Sequence, residues 1–298
     1  MHDVAHGDDR KTWTSARATA GSRAARYGDG VFVTLGIRGG VLLDAALQVK
    51  RLLDAADRIG LLPPALLDDP DDAPWVLAAM LEDLGADAAT EGTARLQWSA
   101  GPGSRGFGRD DVRAEAILDL DPAPEARRPA VVLLDERDAP LPALPRLKTC
   151  SALAQVLCER AARARGAHTG IRTRDGLLLE TGSANLFWLT DAGLHTPAAD
   201  LPLYAGSVRE RVIECALEAG LPVEEGDYPP DALRDAGALL LTNAARGVEI
   251  AATLDGRTLP DPPEIALALA DAVAARREAA GIALGGGADL DGGSDAAA

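Results

Sequence analysis

The chain is short of lysine, cysteine and histidine, and these shortages narrow the functions open to it. Of its 30 basic residues only Lys11, Lys50 and Lys148 are lysines, so 27 are arginine. Those cations face 46 acidic residues, leaving a net charge of −16 that would repel nucleic acid. The cysteines Cys150, Cys158 and Cys215 are odd in number and lack metal spacing, which fits buried thiols in a reducing compartment rather than a disulfide framework. His2, His6, His168 and His195 form no ligand pair and have no carboxylate cluster beside them. A metal site and a Ser-His-Asp hydrolase built on a recognisable elbow are therefore not expected. No apolar run approaches the roughly 18 residues of a membrane span, and "MHDVAHGDDRK" at the start is polar and acidic. The expected partner is a small molecule, with no membrane and no nucleic acid, in a cytoplasmic protein.

What is present suits one large domain or two smaller ones: 298 residues with 47% hydrophobic content. "GVFVTLGIRGGVLL" (30–43) predicts two strands around a Gly-Gly turn, and apolar spacing predicts helices over 43–60 and 72–85. Strands are expected near 94–99, 114–120 and 129–135. Three prolines in "DERDAPLPALPR" (135–146) break regular structure and mark a linker. Beyond it the pattern predicts a helix over 149–165 and strands near 170–174, 177–180, 185–190 and 193–196. A helix over 207–220, strands at 221–227, 238–243 and 248–254, and a last helix over 261–280 complete the reading. The expected organisation is a tail at 1–11, a smaller α/β domain at 12–135, a linker at 136–146, a larger domain at 147–283 and a tail at 284–298.

Four motifs carry chemistry. In an arginine-rich chain Lys148 stands out, because a desolvated lysine can lose its proton and form an imine, which arginine cannot. Glu180 closes an apolar strand before a small-residue turn, and if it is buried and ionised a cation must face it. In "YAGSVRERVIECALEAG" (204–220), Ser207 and Glu210 form a capping-box pattern, and Gly206 lets an anion approach the first-turn amides. "GPGSRG" (101–106) matches a dinucleotide-binding expression but is followed by a polar stretch and a strand rather than a helix, so it reads as a loop with Arg105 at its tip.

Together "RYGDGVF" (26–32), "RLLDAADRIG" (51–60), Lys148, "ETGSANLFW" (180–188), "GSVRE" (206–210) and "LTNAARGV" (241–248) resemble the class IV aminotransferase family, the fold type IV pyridoxal phosphate enzymes. The match spans about 20–255. The resemblance implies an α+β / α/β two-domain fold, a homodimer, an anionic amino substrate, and pyridoxal 5′-phosphate between the domains. It makes Lys148 the covalent anchor of the cofactor and the proton-transfer base, with Glu180 on the pyridine nitrogen. Arg51, Gly206, Ser207, Val208 and Thr242 would hold the phosphate region, with Asn185 and Asn243 also at the cofactor. Substrate contacts would come from Phe32, Thr34, Arg105 and Phe107.

Within the family, "SAGPGSRGFG" (99–108) looks like the glycine-rich loop of 4-amino-4-deoxychorismate lyase. Phe107 stands where D-amino-acid transaminases carry a histidine, and Leu153 where branched-chain transaminases carry a tyrosine. The chain departs from the lyase pattern at Ser151 and Ala152, at Gln48 and at Ala100. The alternatives are an aminotransferase acting on D- or branched-chain amino acids and a catalytically silent homologue that serves as a binding partner.

Overall fold

The computed structural model describes residues 11–14, 22–103, 106–110 and 112–285. The first half runs β1 (Lys11–Thr14), α1 (Arg23–Tyr27), β2 (Gly30–Arg38), β3 (Val41–Leu42), α2 (Ala45–Asp57), β4 (Leu61–Leu62), α3 (Ala73–Asp83), β5 (Gly92–Ser99), β6 (Val112–Arg113) and β7 (Glu115–Pro122). The second runs β8 (Ala130–Leu134), α4 (Leu153–Ala164), β9 (Thr169–Arg174), β10 (Leu177–Thr181), β11 (Asn185–Thr190), β12 (Gly193–Pro197) and α5 (Ser207–Glu218). It continues through β13 (Val223–Gly226), β14 (Ala238–Asn243), β15 (Gly247–Ile250), β16 (Thr253–Leu254), β17 (Arg257–Thr258), α6 (Glu264–Ala279) and β18 (Ile282–Ala283).

Strand alternation decides which faces are buried. In the six-stranded sheet β1-β7-β5-β2-β3-β18, Val31, Val33, Leu35 and Ile37 turn toward Val49 and Leu52 of α2 and Leu77 and Leu81 of α3. Phe32 and Thr34, one residue out of phase, are left on the opposite, half-open face. That face becomes a wall of the site.

The second half stacks two five-stranded sheets, β10-β9-β8-β16-β17 and β13-β12-β11-β14-β15. Leu186 and Trp188 of β11 and Leu239 and Leu241 of β14 fill the space shared with Val131, Ile171 and Leu178. Phe187 and Leu189, pointing the other way, meet α5 and α6. Both faces of β11 and β14 are covered, which explains their unbroken apolar runs. On the far side Cys158 and Ala162 of α4 pack on Val132 and Leu134.

Five boundaries differ from the sequence reading. β8 pairs in parallel with β9 and β16, so it builds the second half rather than ending the first. β18 pairs with β3, which returns the end of the described chain to the first sheet. β1 begins at Lys11, inside the expected N-terminal tail, and Leu284 is buried inside the expected C-terminal one; residues 1–10 and 286–298 lie outside the described residues. Helix α4 starts at Leu153, not 149. Residues 148–150 are instead extended along β2: the Phe32 N–H donates to the Lys148 carbonyl at 3.0 Å and the Cys150 N–H to the Gly30 carbonyl at 2.9 Å. Those bonds tie the linker to the first sheet at the residue the chemistry needs.

Candidate active site

A cavity of about 350 Å³ opens between the halves, with Phe32, Thr34, Lys148, Glu180, Ser207 and Thr242 among its lining residues. Lys148 enters it from the segment pinned to β2. Its Nζ lies 5.6 Å from the centroid of the Phe32 ring and 5.4 Å from that of Tyr204. Burial pushes the amine down to about 8; Arg95 and Arg51 push the same way, and Glu180 opposes them. A lysine so placed is partly neutral near physiological pH, the form that acts as nucleophile and base.

Glu180 is buried at the end of β10. Oε1 accepts from Nη2 of Arg172 at 2.9 Å and from the Tyr204 N–H at 3.1 Å, and Oε2 accepts from Nδ2 of Asn185 at 3.1 Å. Burial pushes this carboxyl up to about 7 against the pull of Arg172, the Tyr204 amide and Lys148. Asn185 also donates to the Tyr204 carbonyl at 2.6 Å and accepts from the Gly206 N–H at 3.1 Å. A Cβ on residue 206 would fall 2.6 Å from Asn185 Oδ1, so any larger residue there would displace the Asn185 side chain that bonds Glu180.

Helix α5 aims its N-terminus at the same cavity. The expected capping box is absent: the N-cap is Gly206, and no side chain caps the first turn. The Ser207 hydroxyl instead accepts from Nε2 of Gln48 at 2.7 Å, and Glu210 pairs with Arg51 Nη2 at 2.8 Å. Both capping partners are drawn off by α2, which leaves the amides of Ser207 and Val208 uncapped by any side chain and suited to an anion. The Thr242 hydroxyl is buried without a hydrogen-bond partner among the described residues, as is Nε of Arg51.

Of the residues expected at the site, Phe32, Thr34, Lys148, Glu180, Asn185, Gly206, Ser207, Val208, Thr242 and Asn243 line this cavity. Arg51 lines an adjoining pocket that shares Phe32, Lys148 and Tyr204. Phe107 does not join them: it is 88% exposed, with its ring edge-on to Tyr27 at 5.4 Å. The carbonyls of Gly106 and Phe107 each accept from Arg23 at 3.0 Å. Arg105 lies outside the described residues. Leu153 is exposed, and Ala100 is buried in the first core.

Sequence reasoning missed Arg172, Tyr204 and Arg95. Arg172 read as one alternating strand residue among many; Tyr204 acts partly through its backbone; the Arg95 guanidinium lies 3.7 Å from the Phe32 ring centroid only because β2 and β5 pair Thr34 with Arg95. Gln48, noted as a departure, is the buried link between α2 and α5. Among the described residues there is no metal-binding group of three or more His, Cys, Asp or Glu, and no helix long and apolar enough to cross a membrane.

The chain is 26% identical over 258 residues to an aminodeoxychorismate lyase of Vibrio harveyi, covering 81% of this chain and 88% of the relative. It is 24% identical over 251 residues to a D-alanine aminotransferase of Listeria monocytogenes, covering 80% and 83%. The fold matches a branched-chain aminotransferase of Thermoproteus uzoniensis with a TM-score of 0.78 at 20% identity, covering 89% and 91% of the two chains. The model of the family described as amino-transferase class IV matches residues 30–252. With that match over most of its length, the chain belongs to the class IV aminotransferase family, whose enzymes work with pyridoxal 5′-phosphate.

Proposed function

We propose that the enzyme cleaves 4-amino-4-deoxychorismate to 4-aminobenzoate and pyruvate. The residues suit the cofactor: an uncapped helix N-terminus and an unpartnered buried Thr242 hydroxyl for a phosphate, an amine pushed toward neutrality, and a carboxylate held by three donors. Arg51, the amides of Ser207 and Val208, and Thr242 would hold the 5′-phosphate, and Glu180 would accept from the ring nitrogen. Bound there, pyridoxal phosphate supplies an electron-withdrawing ring that stabilises the electron pair left when a proton departs beside the substrate nitrogen.

Lys148 would anchor the cofactor and, as a free amine, would take the proton from the amine-bearing ring carbon of the substrate. The carbon–oxygen bond to the enolpyruvyl group then breaks, the departing oxygen keeps the electron pair, and the ring becomes aromatic. A proton on the released enolpyruvate gives pyruvate. Aromatisation drives the step, so the protein supplies mainly orientation and proton transfer. Phe32 and Thr34 flank the substrate, and Arg105 on the glycine-rich loop is assigned to a carboxylate of the substrate. The working unit is proposed to be a homodimer.

The observation that carries the lyase reading is the loop at 99–108, where a Gly-Ser-Arg-Gly-Phe run stands in place of the Arg-x-His pattern of D-amino-acid transaminases; the Vibrio relative supports it. The D-alanine aminotransferase likeness favours a second reading, transfer of an amino group to a 2-oxo acid through the same Lys148 and Glu180. Aminodeoxychorismate in one reaction and an amino acid with a 2-oxo acid in another separate the two. Aminobenzoate and pyruvate without amino exchange are expected; exchange alone would refute the lyase.

A further inference from the structure

Arg172 is buried as completely as the core tryptophans Trp98 and Trp188. A guanidinium so placed is costly unless a carboxylate faces it. Its Nη2 donates to Glu180 at 2.9 Å and to the Thr181 carbonyl at 3.2 Å, while Nε and Nη1 have no partner among the described residues.

The encounter depends on a bulge. β9 and β10 pair Leu178 with Thr173, yet Thr181 stands opposite Ile171, so Leu179 and Glu180 together face Arg172. In uninterrupted pairing Glu180 would oppose Ile171 and point to the other face from Arg172. One extra residue therefore brings acid and base to the same side.

The other groups around Glu180 do not replace this partner. Lys148 approaches from the interdomain segment and is itself pushed toward neutrality. The Cys158 thiol on α4 is held neutral, pushed by burial up to about 11, and Glu159 beside it is bonded to Thr169 and Ser183. Asn185 and the Tyr204 amide are uncharged donors.

We propose that Arg172 is a positioning residue that keeps Glu180 ionised, and so an acceptor toward the cofactor's ring nitrogen; this rests on the reading that Glu180 faces that nitrogen. A buried carboxyl without a cation takes a proton. One proton is shared between carboxyl and ring nitrogen, and stabilising the carboxylate leaves it on nitrogen, where it strengthens the ring as an electron acceptor.

The test uses cofactor-free and cofactor-loaded protein. In the first, the Glu180 carboxyl is titrated by carbon-13 NMR of labelled glutamate, assigned by Glu180→Gln, in the native chain, Arg172→Lys and Arg172→Met. The carboxyl should titrate at least about one pH unit higher in Arg172→Met, and lysine should restore most of the difference. In the second, the visible absorption of bound cofactor should shift in Arg172→Met toward that of Glu180→Gln, with no further shift in the double variant. An unchanged carboxyl titration in folded Arg172→Met overturns the proposal; if that variant does not fold, Arg172→Gln is read in its place with the same two outcomes. A shifted titration in protein that takes up no pyridoxal phosphate supports the hold of Arg172 on Glu180 and overturns the reading of the cofactor site.

Discussion

The Glu180 end of the cavity and the loop at 101–110 each centre on a carboxylate held by arginine, yet they fix different things. Around Glu180 the bonds end on the side chain itself, from β9, β11 and the Tyr204 turn. At the loop they end on backbone: Asp29 is held by Arg23 at 2.7 Å and Arg109 at 2.8 Å, and those arginines in turn grip carbonyls of Gly106, Phe107 and Gly60. The first arrangement sets the position and charge of one functional group. The second sets a path for the chain and leaves Phe107 to solvent. On the proposed roles, reaction chemistry and substrate choice rest on separate bonding networks, and substitutions should separate them.

The largest effect is expected from Lys148→Ala, which removes nucleophile and base together. Turnover should fall by about 10³-fold or more, while the melting temperature, read by circular dichroism, stays within a few degrees. Next comes a pH effect. Because burial holds the amine near 8, below its ordinary value, the protonated form dominates on the acid side and cannot attack an aldehyde. The rate at which cofactor-free protein captures added pyridoxal phosphate, followed by absorbance, should rise with pH and level off above about 8.

Asp29→Asn tests the loop network. Burial pushes the Asp29 carboxyl up, but the hydrogen bonds and charges of Arg109 and Arg23 together hold it below the usual range, so its contribution is present above the unfolded value and is lost as pH falls through the folded one. The substitution should cost about 1–2 kcal/mol in denaturant unfolding at neutral pH and change KM more than kcat. The smallest stability effect belongs to Phe107→Ala, under about 0.5 kcal/mol for so exposed a side chain; any kinetic change should fall on KM.

The chemistry-bearing residues were legible because their types are informative: a lone lysine past a proline-rich stretch, an acid closing an apolar strand, a Gly-Ser helix start. Their positions were less so. The Ser207–Glu210 spacing fits a capping box, but Gln48 and Arg51 on α2 compete for both side chains, and local spacing carries no record of a helix that packs against it from about 160 residues away. The helix propensity of 149–152 yields to hydrogen bonds with β2, and the β10 bulge that presents Glu180 to Arg172 leaves no mark in composition. The pattern at 129–135 gives a strand but not the sheet it joins, because that is settled by parallel partners at 169–172 and 253–254.

The central claim, that Lys148 carries the cofactor, can be tested directly because the chain has only two other lysines. Protein loaded with pyridoxal phosphate is reduced with borohydride, digested, and the pyridoxyl group located by mass spectrometry. The label is predicted on Lys148 alone; a label on Lys11 or Lys50, or none on Lys148, would contradict the account.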